Sequence, residues 1–429
     1  MVRVKEILRS AWAELPAEPW ARRASLAFSL SVLTFLISIA ASQLFLAVAG
    51  VCFAVHLLRD QSNLRFPPVK APLGLFCLFT FLSLLWAADS TVGWPAVRKL
   101  VLFLIMLFAA NLVVSQKHLR VLYQGLFLES AVAGLVAAGQ LIARYQLVRT
   151  LYPDQVYYQM AFEQRVQGFM GHWMHFGGQQ MLLFSALLAF LLLGKAQGKV
   201  WWVVLGVVAS SIVFGLTRGV WLGAFAAAVY VVARWKPRTL AVLPLVLVLG
   251  WLVAPSLVRQ RVRNALHPTG DPALSIRLEM WQVALRMIRA HPWLGVGPNN
   301  IVAEYPLYLP PGKSPVVGYH GHLHNNFLQL AAERGLPALA AWLWFMVALA
   351  WYFRNVRRQA GWVAEGALAG WLALLVEGFF EFNFGSSPVL MLFLFLATTP
   401  TAAARGSSGE APPHAALLPD NPLPRQEPG

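Results

Sequence analysis

The chain is organised by long stretches that carry no charge. Ala24 to Leu58 contains no Asp, Glu, Lys or Arg. A helix needs about 20 apolar residues to cross about 30 Å of hydrocarbon, so this stretch is long enough for two crossings and reads as a helical hairpin turning near Ser42. Further apolar runs predict helices at about 71–88, 100–116, 121–143, 176–194, 200–217, 219–233, 239–258, 335–353, 360–380 and 386–399. The pattern predicts an all-α integral membrane protein with about twelve transmembrane helices and a long, partly helical outer loop between spans 9 and 10.

Composition agrees and adds a constraint. The 429 residues are 58% hydrophobic and 12% charged, against about 25% charged in soluble domains, which excludes a soluble enzyme. The formal net charge is nevertheless +16, from 34 Lys and Arg against 18 Asp and Glu. Short cytoplasmic loops collect basic residues. With the N-terminus inside, 20 of the 34 fall on inner segments, and the short outer loops hold only Arg98, Lys99 and Arg218. Both termini are then cytoplasmic. The remaining 11 lie in two long outer segments, which the positive-inside rule does not govern. These are Arg144, Arg149 and Arg165, then Arg259, Arg261, Arg263, Arg277, Arg286, Arg289, Lys313 and Arg334. Such a surface suits an anionic ligand such as a lipid phosphate or pyrophosphate, or simply the phospholipid headgroups.

The expected organisation is a cytoplasmic interfacial helix over 1–24, spans 1–9 over 25–258 with an outer loop at 144–175, a chemistry-bearing outer loop over 259–334, spans 10–12 over 335–400, and a disordered tail over 401–429 rich in Pro, Gly and Ser. Cys52 and Cys77 fall in predicted spans, so no disulfide framework is expected. No GxxxxGK[ST] loop is present, so ATP is not the energy source. Neither a cofactor nor a nucleic-acid partner is expected.

Candidate chemistry concentrates in 259–334. Ser275 to Ala290 reads as a helix with Leu278, Trp281, Leu285 and Ile288 at helical spacing, ended by His291-Pro292 and a turn at Gly295, Gly297 and Pro298. Then comes His320-Gly-His322-Leu-His324-Asn325-Asn326. Asn325 or Asn326 can cap a short helix that ends near Arg334, with Gly335 in the C-terminal position and Pro337 opening the next span. That places His324 at a helix N-terminus, where the dipole favours a neutral imidazole base and the free N–H groups an anion. Three histidines at spacing two could alternatively hold zinc, but Gly321 disfavours a regular strand and no nearby carboxylate pair completes a site, so no metal is expected. Arg218, in FGLTRGVWLGAF, lies between tightly spaced spans and marks a ligand path or snorkels to headgroups. Glu129 is intramembrane, while Glu377 and Glu381, four apart, are expected on one helix face, pairing with arginines of the basic site.

The segments RLEMWQVALRMIRAHPWLGVGPNN and HLHNNFLQLAAERGLPAL, with His324-Asn325 nine residues ahead of Gly335, resemble the outer loop of the O-antigen ligase and polymerase superfamily. The resemblance implies transfer of O-antigen polysaccharide from undecaprenyl pyrophosphate to lipid A-core on the periplasmic face of a bacterial inner membrane. By the same resemblance, His324, Arg218 and Arg277 are the catalytic candidates. Arg286, Arg289, Asn325, His322 and Arg334 are candidate contacts to substrate or pyrophosphate. An O-antigen polymerase or protein O-oligosaccharyltransferase would use the same donor class. A polyprenol-phosphate transporter is a different class that also suits an outward basic pocket, but it needs no histidine–asparagine loop.

Overall fold

The computed structural model describes residues 14–60, 64–194, 198–266, 272–314 and 321–405. His320, the first half of the expected interfacial helix and residues 406–429 of the expected tail lie outside the described residues. Among those described the fold is helical throughout, with no strand. The main helices are α1 (Pro19–Val32), α2 (Ile39–Arg59), α3 (Lys70–Trp86), α4 (Ser90–Arg98), α5 (Leu104–Leu112), α6 (Gln116–Leu151), α7 (Trp173–Leu192), α8 (Val200–Phe214), α9 (Arg218–Trp235), α10 (Leu243–Val253), α11 (Ser256–Leu266), α12 (Pro272–Ala290), α13 (Asn326–Ala360), α14 (Trp362–Gly378) and α15 (Ser387–Arg405).

Six helical segments are long and apolar enough to cross a membrane: α2, α4–α5 taken together, α6, α7, α13 and α15, and three shorter apolar helices accompany them. The membrane class follows from these. Helix α6, at 36 residues, is about 54 Å long at 1.5 Å per residue, so it overruns the hydrocarbon by several turns. In the centre of the bundle α7 and α15 are almost wholly buried, flanked by α14 and by the aromatic stack of Phe28, Phe35, Phe395 and Tyr123.

The hairpin of α1 and α2 turns earlier than expected, over residues 33–38. Ser38 caps α2 by accepting from the Ala41 amide at 3.3 Å. Ser42 is instead buried inside α2, its hydroxyl donating to the Ser31 carbonyl at 2.9 Å while the Ser31 hydroxyl donates to the Ser42 carbonyl at 2.8 Å. A serine in an uncharged run serves equally as cap or as interhelical link, and hydropathy does not separate the two.

Outside the bundle α12 builds a second, smaller core. Its buried stripe is Met280, Val283, Ala284 and Met287, packed with Val296, Ile301, Tyr305, Leu323 and Ala332. The expected stripe was offset: Leu278 and Leu285 are 47% and 46% exposed. Both sets satisfy helical spacing, and only the loop laid across α12 selects one.

That loop is fixed to the start of α13. The amides of Val296 and Gly297 donate to the carbonyls of Ala332 and Glu333, each at 2.9 Å, and the Leu336 amide donates to the Pro292 carbonyl at 2.8 Å. These bonds satisfy the carbonyls that end the short helix opening α13, which breaks at Gly335 (φ 82°, ψ 169°) before Pro337 begins the next turn. A Cβ at Gly335 would lie 2.0 Å from the Trp293 carbonyl oxygen, and this backbone region is essentially reserved for glycine. Gly335→Ala is therefore expected to cost more than about 2 kcal/mol and to sharply reduce folded protein in membranes, read by size-exclusion fluorescence; a wild-type yield and melting temperature would contradict the packing described.

Candidate functional site

The centre of the site is a contact between two segments far apart in sequence. His324 Nδ1 lies 3.0 Å from Glu381 Oε2, and His322 Nδ1 lies 3.6 Å from Glu381 Oε1. The two imidazoles stand edge to face with centroids 4.1 Å apart.

The HLHNN segment is held in that pose from several sides. Leu323 is fully buried in the α12 core; its carbonyl accepts from Trp281 Nε1 at 3.2 Å and its amide donates to Gln329 Oε1 at 2.7 Å. Gln329 in turn donates to Glu333 Oε1 at 2.8 Å, which also accepts from the Asn299 amide at 3.0 Å. His324 itself adopts a left-handed backbone, φ 47°, a conformation that costs a non-glycine residue about 1–3 kcal/mol and clusters at functional sites. It reverses the chain so that the ring meets Glu381 before Asn325 starts α13 as its N-cap, accepting from the Leu328 amide at 2.9 Å.

Glu381 comes to meet it because α14 ends at Gly378. Glu377 and Glu381 thus share no helix face, correcting the expectation from their spacing. Asn325 donates to the Phe379 carbonyl at 3.0 Å, Asn326 donates to Asn383 Oδ1 at 2.6 Å and accepts from the Phe384 amide at 3.2 Å, and Asn383 donates to Glu377 at 3.0 Å. Both asparagines of the motif therefore clamp the strip that carries Glu381.

Electrostatics set the state of this carboxyl. Burial pushes Glu381 up, but His324 and His322 beside it, together with Arg277, outweigh burial and hold it down to about 2. It is an anion at any working pH. An ionised carboxylate accepts, so in the neutral imidazole Nδ1 of His324 carries the proton and Nε2 is left as the acceptor, which is the arrangement that orients a general base.

A cluster of guanidiniums surrounds the same point. Arg165 is brought down to about 9 by burial and by Arg261, Arg277 and Arg218, with Glu381 opposing; it stays cationic at neutral pH. It stacks on Trp173 at 3.8 Å, and both Arg165 and Arg261 lie over the ring of Phe162, at 5.6 and 4.7 Å. Arg261 also donates to the Leu216 carbonyl at 3.0 Å, bracing the turn that presents Arg218 at the first position of α9. Gly219 beside it lets α9 approach α14, since a Cβ there would sit 3.4 Å from Glu377 Cγ.

Of the residues expected at the site, the structure brings His324, His322, Arg218, Arg277 and Asn325 together. Arg286 is elsewhere, donating to the Tyr308 carbonyl at 2.9 Å, and Arg289 is exposed on α12. Arg334 is buried in the bundle, its guanidinium 5.3 Å from the centroid of Phe76 and its Nε 3.8 Å from Glu333. The structure does not bring these three to the His324–Glu381 contact, because spacing along a helix does not say which face its neighbours cover. Sequence reasoning missed Glu381 as the partner of His324, Arg165 and Arg261 as members of the cluster, and His172 and His175, which line a pocket of about 560 Å³ with His322, Glu381 and Lys99. The GHWMH spacing, three apart at a helix start, was the available signal for the last two.

His322, His324 and Glu381 offer donor atoms within 4.8 Å of one another and can in principle hold a cation. One carboxylate, Glu381, joins the two histidines, and among the described residues no second carboxylate belongs to the group. Arg277 and Arg165 close to that carboxylate oppose a divalent ion electrostatically.

Fold and site define a helical membrane protein with a histidine–carboxylate pair set among arginines. Residues 202–343 match the family described as O-antigen ligase, a stretch that holds Arg218, Arg261, Arg277, His322 and His324. It covers about a third of the chain and supports membership of the O-antigen ligase and polymerase superfamily. No curated protein matches the chain.

The depressed Glu381 sets a pH signature. A carboxyl whose folded pKa lies below its ordinary 4.5 stabilises the fold fully above about pH 4.5, and that stabilisation is lost as pH falls toward the folded value. Thermal unfolding of purified wild type and Glu381→Gln should therefore differ by about 2 kcal/mol or more at pH 7, and the gap should begin to narrow below about pH 4.5 and close as pH falls to the folded value of about 2. A gap that is constant with pH would show that Glu381 is not held as an ion.

Proposed function

We propose that the protein is an inverting, metal-independent glycosyltransferase of the ligase type, moving O-antigen polysaccharide from undecaprenyl pyrophosphate to a sugar of lipid A-core. The observation that carries this reading is the His324–Glu381 pair placed among Arg165, Arg218, Arg261 and Arg277. The setting we infer is a twelve-crossing topology in the bacterial inner membrane, with both termini cytoplasmic and the site on the periplasmic side.

The step has two halves. Nε2 of His324 takes the proton from an acceptor hydroxyl, and that oxygen bonds to the anomeric carbon of the donor glycan. The bond from that carbon to the pyrophosphate oxygen breaks on the opposite side, its electron pair leaving with the pyrophosphate, so the anomeric configuration inverts. Glu381 keeps Nδ1 protonated and stabilises the imidazolium that forms. Arginine matches phosphate geometry bidentately, and Arg218 and Arg277 neutralise the leaving group, with Arg165 and Arg261 enlarging the field. Proton transfer of this kind contributes about 10²–10⁴-fold and a preorganised charge contact about 10²–10³-fold. The pyrophosphate linkage supplies the driving force, so no nucleotide is required.

Two measurements test the reading. In membranes containing EDTA, wild type should transfer glycan fully, while His324→Ala, Arg218→Ala and Arg277→Ala should each lose about 100-fold or more; retention by all three, or loss of wild-type transfer on chelation, overturns the mechanism. In cells, deletion should leave bare lipid A-core. A deletion that still attaches a single repeat identifies a polymerase instead.

A further inference from the structure

A transferase of two lipid-anchored substrates needs two approaches to one base. The arginine cluster provides the first. The second is offered beside Glu381 by the pocket of about 560 Å³, which His322, Glu381, His172 and Lys99 line and none of the four arginines does. Lys99 also lines a separate groove of about 950 Å³ between α2 and α4–α5. The segment after Glu381 joins the two, with Ser386 on the pocket and Ser387 on the groove. Lys99 Nζ donates to the Gly385 carbonyl at 2.8 Å and so stands at the junction, with two N–H groups remaining for a ligand.

The groove is polar at one end only. Arg98 and Lys99 lie at the end where α4 gives way to α5, and the walls beyond are apolar: Ala47, Gly50 and Val51 from α2, Val101 and Phe108 from α4–α5. Gly50 keeps the floor open, since a Cβ there would meet the Phe108 ring at 3.3 Å. In the proposed topology the cationic end faces the outer leaflet and the apolar end points into the bilayer, which matches a phosphate-bearing lipid chain inserted from outside.

We propose that this groove seats an acyl chain of the acceptor glycolipid, with Arg98 and Lys99 on a phosphate of its headgroup and the sugar carried past Lys99 to His324. The assignment rests on the ligase reading and on placing the donor pyrophosphate at the arginine cluster. Charge complementarity at one end and continuity through Lys99 and Ser386–Ser387 with the pocket lined by His322 and Glu381 distinguish the groove from an ordinary lipid-facing surface.

Photolabelling tests it without turnover. Wild type in nanodiscs is irradiated with lipid A-core carrying a diazirine in one acyl chain, and separately with undecaprenyl pyrophosphate carrying a diazirine in its isoprenoid chain. The acyl probe should label residues 43–54 and 98–108, unlabelled lipid A-core should compete, and Val51→Trp should abolish the label. Labelling of these residues by the isoprenoid probe, or acyl labelling that a plain phospholipid competes equally well, overturns the assignment. In transfer assays Val51→Trp and Lys99→Gln should raise the acceptor KM about tenfold, the scale of one lost charged contact. The donor KM and transfer to a deacylated, soluble core acceptor should hold for Val51→Trp. An unchanged acceptor KM in both variants overturns the proposal. Failure of wild type to transfer at all instead sinks the ligase reading, and the labelling still decides the groove.

Discussion

The bond from His324 to Glu381 is the constraint around which the site is built. It joins residues 57 positions apart, and each partner is held in place by a departure from regular helix. His324 sits in a left-handed turn immediately before α13, and Glu381 lies beyond the end of α14. The two asparagines after His324 hold the strip on which Glu381 stands, while Leu323, locked under Trp281 and Gln329, holds the histidines. The break at Gly335 completes the frame by letting the 293–297 turn lie against the end of the short helix. Because interiors are close-packed, a shift in any of these pieces moves the imidazole.

The charge arrangement follows from the same contact. Four guanidiniums gathered in a poorly solvated place repel one another, and the Glu381 anion offsets only part of that repulsion. The remaining field is available to an incoming anion, where it acts more strongly than it would in water. In the proposed reaction a diphosphate leaving group would develop its charge in the region where the protein already holds a cationic excess.

Much of this design was legible in the sequence, and the remainder fails for definite reasons. Uncharged runs located the helices, because a charge inside hydrocarbon is too expensive to occur by accident. Asn325 as a cap and Gly335 as a stop were readable from local backbone chemistry, and the resemblance pointed to His324, Arg218 and Arg277, which the fold brings near one another. Glu381 was noticed but given the wrong geometry, since spacing of four implies a shared face only while the helix lasts, and α14 stops three residues short. Arg286 and Arg289 lie away from His324 because a helix such as α12, apolar on more than one face, does not declare which face its neighbours cover, and Arg334 is buried at the end of the short helix that opens α13. Arg165 and Arg261 came into the site through tertiary packing on one phenylalanine, Phe162, which no local pattern records.

The central claim is that a carboxylate-oriented histidine works beside an arginine-held pyrophosphate without a metal. A cryo-EM structure of the protein with undecaprenyl-pyrophosphate-linked glycan bound tests it most directly. The account predicts the diphosphate within hydrogen-bonding distance of Arg218 and Arg277, His324 Nε2 facing the anomeric carbon from the opposite side, and the His324–Glu381 bond intact with no ion between them. A diphosphate seated away from the arginines, or an ion bridging His322, His324 and Glu381, would contradict it.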